Sequence, residues 1–254
     1  MRPKLVLAVV AVAVLAVTAG CASPFAGQVS DESLDEEPDE PYDWNTTRDV
    51  TFTVRDDSYQ AVYDLNGTTE LELYEAGLST DRPLTIWAVR YRFPNGTTLK
   101  GTELEIYRSG ARRVIAVPDG NGTLAYTSGS GAKQFGQESF LKGTTEIILP
   151  PERRASSFLF GDVRPGGYDT SVDDRDRLHV VWDEPIDRGV FVRYYLPRDV
   201  LLFRGLIVLL AVVALGGLGY YYRTIQQLED QRKEMGLDIE ADDEFDDEEP
   251  PGLG

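Results

Sequence analysis

In 254 residues the chain has one cysteine, Cys21, and one histidine, His179. A lone thiol excludes an internal disulfide framework and any multi-thiolate zinc or iron–sulfur centre, and a lone imidazole excludes the common multi-histidine metal sites. Lysine is scarce, and a basic surplus is missing altogether: the net charge is −18. No nucleic-acid partner is expected of such a chain, which lacks the basic face that phosphate backbones require. A glycine-rich cradle for phosphates is absent as well. The available chemistry reduces to carboxylates, hydroxyls and a single imidazole, and neither a metal nor a cofactor is expected.

What is plentiful is acid, and it is unevenly spread. Residues 31–43 hold eight acidic side chains and no basic one, and residues 238–249 hold nine and none. Between Trp44 and Asp199 the count is 23 acidic to 19 basic. The charge therefore belongs to two flanks around a nearly balanced middle. An acidic, lysine-poor composition of this kind reads as adaptation to high salt.

Long apolar runs lie at both ends. Leu5 to Ala19 is unbroken and follows two basic residues, Arg2 and Lys4. Fifteen residues are too few for a comfortable membrane span and suit a secretory signal. Thr18-Ala19-Gly20 then leads directly into Cys21, so residues 1–20 read as a signal peptide and Cys21 as a lipidated N-terminus, with an incidental thiol as the alternative. The second run, Gly205 to Tyr222, has eighteen residues without a charge. At 1.5 Å per residue it covers about 27 Å, and Tyr220, Tyr221 and Tyr222 supply an interfacial belt. Residues 200–222 are expected to form a transmembrane helix, 223–237 a juxtamembrane helix, and 238–254 a disordered acidic tail. With export set by the signal, the middle of the chain lies outside the cell and the C-terminus inside.

Residues 21–43 carry few large apolar side chains and a block of like charge, so they are expected to be a disordered tether. From residue 48 the hydrophobic period becomes two: Val50, Phe52 and Val54 face one way, as do Trp87, Val89, Tyr91 and Phe93, with Arg90 and Arg92 opposite. About eleven such segments, separated by turn residues, predict a mainly β fold, an antiparallel sandwich-like ectodomain over 44–199. Asn66-Gly67 and Pro94-Asn95-Gly96 read as hairpin turns. The Gly/Ser-rich stretch 128–143 is either a long loop or a sub-boundary between two sandwiches.

All four asparagines, Asn45, Asn66, Asn95 and Asn121, stand in Asn-x-Thr. In an exported chain that pattern marks N-glycosylation acceptors. Turn chemistry alone explains three of them, but not Asn45. His179, within Arg177-Leu178-His179-Val180-Val181-Trp182, points away from the apolar face and reads as a surface or partly satisfied histidine rather than a catalytic one. Asp173, Asp174 and Asp176 read as a charged hairpin turn, with calcium a minor alternative because the loop glycine and distal glutamate are missing. No catalytic residue is assigned, and the chain is expected not to be an enzyme.

Taken together, "TAGC", "YQAVY", "LELYE", "VRYRFPNGT", "PGGYDTS", "VRYYLPRD" and "EMGLDIE" before an acidic end resemble a family of uncharacterised membrane-anchored lipoproteins of halophilic archaea. The resemblance implies a cell-surface location and brings no activity. The expected role is a non-enzymatic surface lipoprotein for binding or envelope organisation, its partners membrane lipid and, through helix or tail, a membrane protein. The alternatives are an accessory subunit of a membrane complex and a surface hydrolase using paired carboxylates.

Overall fold

The computed structural model describes residues 29–77, 79–156 and 159–234. Cys21, the N-terminal apolar run and the acidic tail 238–254 lie outside the described residues. The chain divides into two units, one ending at Pro197 and one beginning at Arg198. Residues 128–143 lie inside the first unit.

Its strands are, in chain order, β1 (Val50–Val54), β2 (Ser58–Asn66), β3 (Glu70–Glu75), β4 (Arg82–Pro83), β5 (Ile86–Arg92), β6 (Thr98–Lys100), β7 (Glu105–Ser109) and β8 (Arg112–Ala116). There follow β9 (Asn121–Gly129), β10 (Gln134–Gln137), β11 (Gly143–Pro151), β12 (Asp162–Arg164), β13 (Asp169–Val172), β14 (Arg177–Ile186) and β15 (Val190–Arg193). An eight-stranded sheet has the order β13-β14-β11-β1-β2-β9-β5-β6, and two smaller sheets have the orders β4-β3-β8-β7 and β10-β15-β12. Period-two alternation gives the inner strands of the large sheet an apolar face. Phe52, Tyr63, Tyr91, Tyr126, Ile147 and Trp182 from that face form one core cluster with Leu71, Leu73, Ile115, Phe135 and Val192 of the smaller sheets. Tyr63 stacks on Tyr126 with ring centroids 5.9 Å apart, and their hydroxyls pair at 3.2 Å.

All pairings are antiparallel except β1 with β11, which run parallel from Val50 opposite Thr145. A reciprocal clip fixes that register. Asp49 Oδ2 accepts from the Thr144 amide at 2.7 Å and from its hydroxyl at 2.8 Å. Gly143 is required beside it, because a Cβ there would lie 2.6 Å from Asp49 Cβ.

Three expectations need correction. In β5, Ala88 has φ 54° and the register with β9 slips between Trp87 and Arg90. A bulge of this kind adds one residue and resets the alternation. Ile86 therefore joins Val89 and Tyr91 in the core, while Trp87 is only half-buried. Asn66-Gly67 is not a hairpin turn either, since β2 and β3 belong to different sheets. It is a corner where the chain leaves the large sheet, and Asp119 to Gly122 is the matching corner where the chain returns. Pro94-Asn95-Gly96 does close a hairpin, β5 to β6.

The third correction concerns the acidic flank. Residues 29–43 are not a free tether, because they lie docked on the β unit, Leu34 joining the main core cluster and Tyr42 packing with Val62 and Ala125. Ser30 caps the short helix α1 (Asp31–Asp35) through its hydroxyl, 3.2 Å from the Ser33 amide. Leu34 is buried against Gly101, where a Cβ would come within 2.7 Å of Leu34 Cβ. Arg90, itself buried, donates to the carbonyls of Asp35 at 3.1 Å and Glu36 at 2.8 Å, satisfying the C-terminal end of α1. The Asp35 carboxylate accepts from the Thr102 amide and hydroxyl, which together hold its pKa below the ordinary value. Further along, the Tyr42 hydroxyl donates to the Ala88 carbonyl at 2.7 Å. That carbonyl sits at the bulge, where the ladder is interrupted, so Tyr42 supplies the donor that the neighbouring strand does not. Like charge in this segment is offset by the cations facing it, Arg55 on Glu40 and Arg90 and Lys100 on Glu37.

The second unit is helix α2 (Pro197–Glu234). Proline at its first position has no amide hydrogen to leave unpaired, and Asp199 in the first turn favours the positive end of the helix dipole. Helix α2 runs without a break through residue 222, where a transmembrane and a juxtamembrane helix were expected to meet. From Leu206 to Leu218 its large apolar side chains are exposed, and it is long and apolar enough to cross a membrane.

Candidate functional site

The two corners explain where the asparagines go. Strand β2 leaves the large sheet at Asn66, β9 enters it at Asn121, and the two residues are direct cross-strand partners. Strand β5 pairs with the other edge of β9 and ends beside the same corner, which puts the Asn95 turn there as well. From the docked segment, Trp44 packs against Tyr42, Val62 and Ala125 on the outer face and delivers Asn45 to the same end. Four residues scattered over 77 positions of sequence thus converge on one pole of the β unit.

A hollow of about 450 Å³ lies there. Its walls include Trp44, Asn45, Asp64, Asn66, Arg92 and Asn121, with Pro94 and Gly96 flanking Asn95 at the rim. The Arg92 guanidinium sits 5.7 Å from the Trp44 ring centroid, a cation–π arrangement. Asp64, an exposed residue of the wall, is pushed above the ordinary carboxylate pKa by partial desolvation and, secondarily, by Asp49. Planar amides, a carboxylate, a guanidinium and an indole edge make a surface suited to hydroxyl-rich, uncharged groups. It contains no nucleophile with an orienting base.

The four asparagines are not equivalent in this setting. Asn45 and Thr47 are both exposed, in a loop outside any strand. Asn95 and Thr97 are both exposed at a hairpin tip, and Asn95 Oδ1 accepts from the Thr97 amide at 2.9 Å. Asn121, by contrast, is tied into a network: its Nδ2 donates to the Asp119 carbonyl at 3.2 Å and its amide to Asp119 Oδ1 at 3.1 Å. The buried Tyr91 hydroxyl donates to the same Asp119 carboxylate at 2.7 Å, and this contact together with burial raises the tyrosine pKa. Thr123 is only half-exposed and pairs with Asp64 on one side and Arg92 on the other.

The other candidates resolve differently. His179 does alternate away from the core, where its Nδ1 lies 2.7 Å from Glu146 Oε1 and its Nε2 3.4 Å from Asp173 Oδ2. Asp173 also receives the Arg177 amide at 2.8 Å and guanidinium at 2.7 Å. Desolvation pushes its carboxyl up, but the Arg177 amide and guanidinium and His179 overcome this and hold it well below the usual carboxylate range. The Asp173–Asp176 segment closes the β13–β14 hairpin, and the Asp173 and Asp176 carboxylates are engaged by the chain's own donors. Among the described residues no hydroxyl or thiol hydrogen-bonds to His179, so the cluster lacks the nucleophile that a hydrolytic triad needs. A second hollow, of about 510 Å³, lies between β10, β15 and the Tyr74–Ala76 end of β3. Cys21 lies outside the described residues.

The fold and the site define a class: a β-sandwich unit carrying one apolar helix long enough to span a membrane. The chain belongs to the family of unknown function DUF5803, whose model matches residues 46–240. That span takes in every strand and helix α2. No curated protein matches the chain.

Proposed function

We propose that this chain is a non-enzymatic cell-surface lipoprotein whose β unit stands outside the membrane and serves binding or envelope organisation. The observation that carries this reading is helix α2, an unbroken apolar helix whose exposed side chains want a lipid environment. The last backbone pairing of the β unit, between Arg154 and Tyr195, leaves only Leu196 before that helix begins. Docking of residues 29–43 supports a second, short attachment. If Cys21 carries lipid, eight chain steps separate it from Val29 and reach about 28 Å at full extension.

The test is to purify the full chain from native membranes in detergent at native salt and to characterise its N-terminal peptide and its company. An N-terminal peptide beginning at lipid-modified Cys21, on a protein that leaves the membrane alone, is the expected result. An unprocessed Met1 overturns the lipoprotein assignment. A stoichiometric membrane partner, lost when residues 223–254 are altered, replaces this reading with an accessory subunit.

A further inference from the structure

We propose that the fold divides the four Asn-x-Thr sites: Asn45 and Asn95 are the positions that carry glycans, and Asn66 and Asn121 remain unmodified structural residues. This rests on the outward placement of the β unit and goes beyond it by naming sites.

Attachment forms a bond from the asparagine Nδ2 to C1 of a sugar. The donor is an oligosaccharide linked through phosphate to a polyprenyl lipid. The C1–O bond to phosphate breaks, the lipid phosphate departs with the electron pair, and one amide proton passes to a base. The transferase must hold the acceptor amide and the hydroxyl two residues on at the same time, on one segment free to enter its cleft.

Two of the four segments meet that condition. At Asn95, Oδ1 is occupied by the Thr97 amide, which fixes the side chain and leaves Nδ2 projecting from an exposed tip. Gly96 has φ +88°, a conformation that closes the turn without steric cost, so the tip is preformed for the enzyme. At Asn45, the Asp43 carboxylate accepts the Asn45 backbone amide at 3.0 Å, and the loop through Thr47 has no strand partner.

The other two do not. Asn121 to Thr123 begins a strand flanked on both sides, by β2 and by β5. To enter a cleft it would have to leave both partners and break its links to Asp119 and Tyr91. Gly122 behind it has no spare room, since a Cβ there would meet the Arg92 carbonyl at 2.6 Å. Asn66 faces Asn121 directly, about 5 Å away between Cβ atoms for a cross-strand pair. Thr68 in its segment is half-buried, and Gly67 is held by the Gly120 carbonyl at 2.9 Å. The two unmodified asparagines thus line the hollow beside Asn45, while the glycan on Asn95 stands at its rim.

The experiment is glycopeptide mass spectrometry on the full chain from native membranes. Trypsin places the four sites on separate peptides, because Arg48, Arg55, Arg90, Arg92, Lys100, Arg113 and Lys133 fall between and around them. The expected result is glycan on the Asn45 and Asn95 peptides and the bare mass on those of Asn66 and Asn121. Asn95→Gln and Asn45→Gln should each remove one glycan's mass from the intact protein, and Asn121→Gln none. Occupancy of Asn66 or Asn121 matching that of Asn95 overturns the division, and it means that transfer precedes folding. Bare peptides at all four sites also overturn it. In that case, labelling of a surface cysteine at Ser171 on intact cells separates the two failures. A labelled β unit leaves the outward placement standing, and an unlabelled one sinks the placement itself.

Discussion

Arg90 is the residue on which the docked N-terminal segment most depends. It is 6 % exposed, yet it sits on the polar face of β5, and its guanidinium closes the end of α1 through the Asp35 and Glu36 carbonyls. A hydrogen bond from a charged donor contributes about 1.5–3 kcal/mol. The Glu37 carboxylate, 3.2 Å away, is 78 % exposed, so its pairing adds at most a few tenths of a kcal/mol, about what a screened surface ion pair gives. Water can reach the carbonyls once the guanidinium is gone, so the lower end of the range applies to both bonds. Arg90→Met, which keeps the volume and removes the donors, should therefore weaken docking by about 3 kcal/mol. The assay is hydrogen exchange at the Leu34 amide, which donates to the Ser30 carbonyl at 3.1 Å and is protected only while α1 is formed. Three kcal/mol corresponds to exchange faster by roughly 100-fold, with amides of β2 and β9 unchanged. Arg90→Lys, a single point donor, should fall between. A change below about threefold at Leu34, or uniform loss of protection through the sheet, would refute the assignment of docking to this residue.

Other consequences follow from the same contacts. Tyr42→Phe leaves the Ala88 carbonyl without its donor in a buried position, which should lower the urea unfolding midpoint by the equivalent of about 1–3 kcal/mol; an unchanged midpoint would contradict the role given to that hydroxyl. Asp49→Ala removes both acceptor contacts to Thr144 and should cost about 2–3 kcal/mol, with exchange rising first along β1 and β11. Burial pushes the Tyr42 hydroxyl up to about 12, against about 10 in the unfolded chain, and raises Tyr59, Tyr63 and Tyr126 further. The fold keeps these groups protonated, so their contribution is complete below pH 10 and is lost as pH rises toward the folded values. For Tyr42 alone the loss is about 2.7 kcal/mol across two units, and phenolate absorbance from the buried tyrosines should appear only together with unfolding.

Much of this fold could be read from residues alone, and the misreadings share a cause. Period two over Val50–Val54 and Arg177–Trp182 needs only neighbours in sequence, as does the run from Gly205 to Tyr222, and these were legible. Asn66-Gly67 was not, because the same dipeptide turns a hairpin or rounds a corner, and the strand it leads to decides which. The parallel pairing of β1 with β11 joins segments some 95 positions apart through Asp49 and Thr144, a polar pair that no hydrophobic pattern records. Docking of residues 29–43 was hidden by their own charge. Eight carboxylates read as a repelling coil until Arg90, Arg55 and Lys100 are known to face them and Gly101 to make room for Leu34. The Asn-x-Thr motifs were plain from spacing, but their gathering at one pole depends on the order β2-β9-β5. The inequality among them depends on the half-buried placement of Thr68 and Thr123.

The proposed placement of the β unit outside a membrane crossed by helix α2 is tested most directly by side-specific labelling. Single cysteines would be introduced at Ser171, exposed on β13, and at Gly254, and intact cells treated with a membrane-impermeant maleimide. The placement predicts labelling of Ser171→Cys on intact cells and of Gly254→Cys only after the membrane is opened, each measured against the parent chain. Labelling of the C-terminal position alone reverses the orientation. Equal labelling of both on intact cells contradicts a membrane crossing between them.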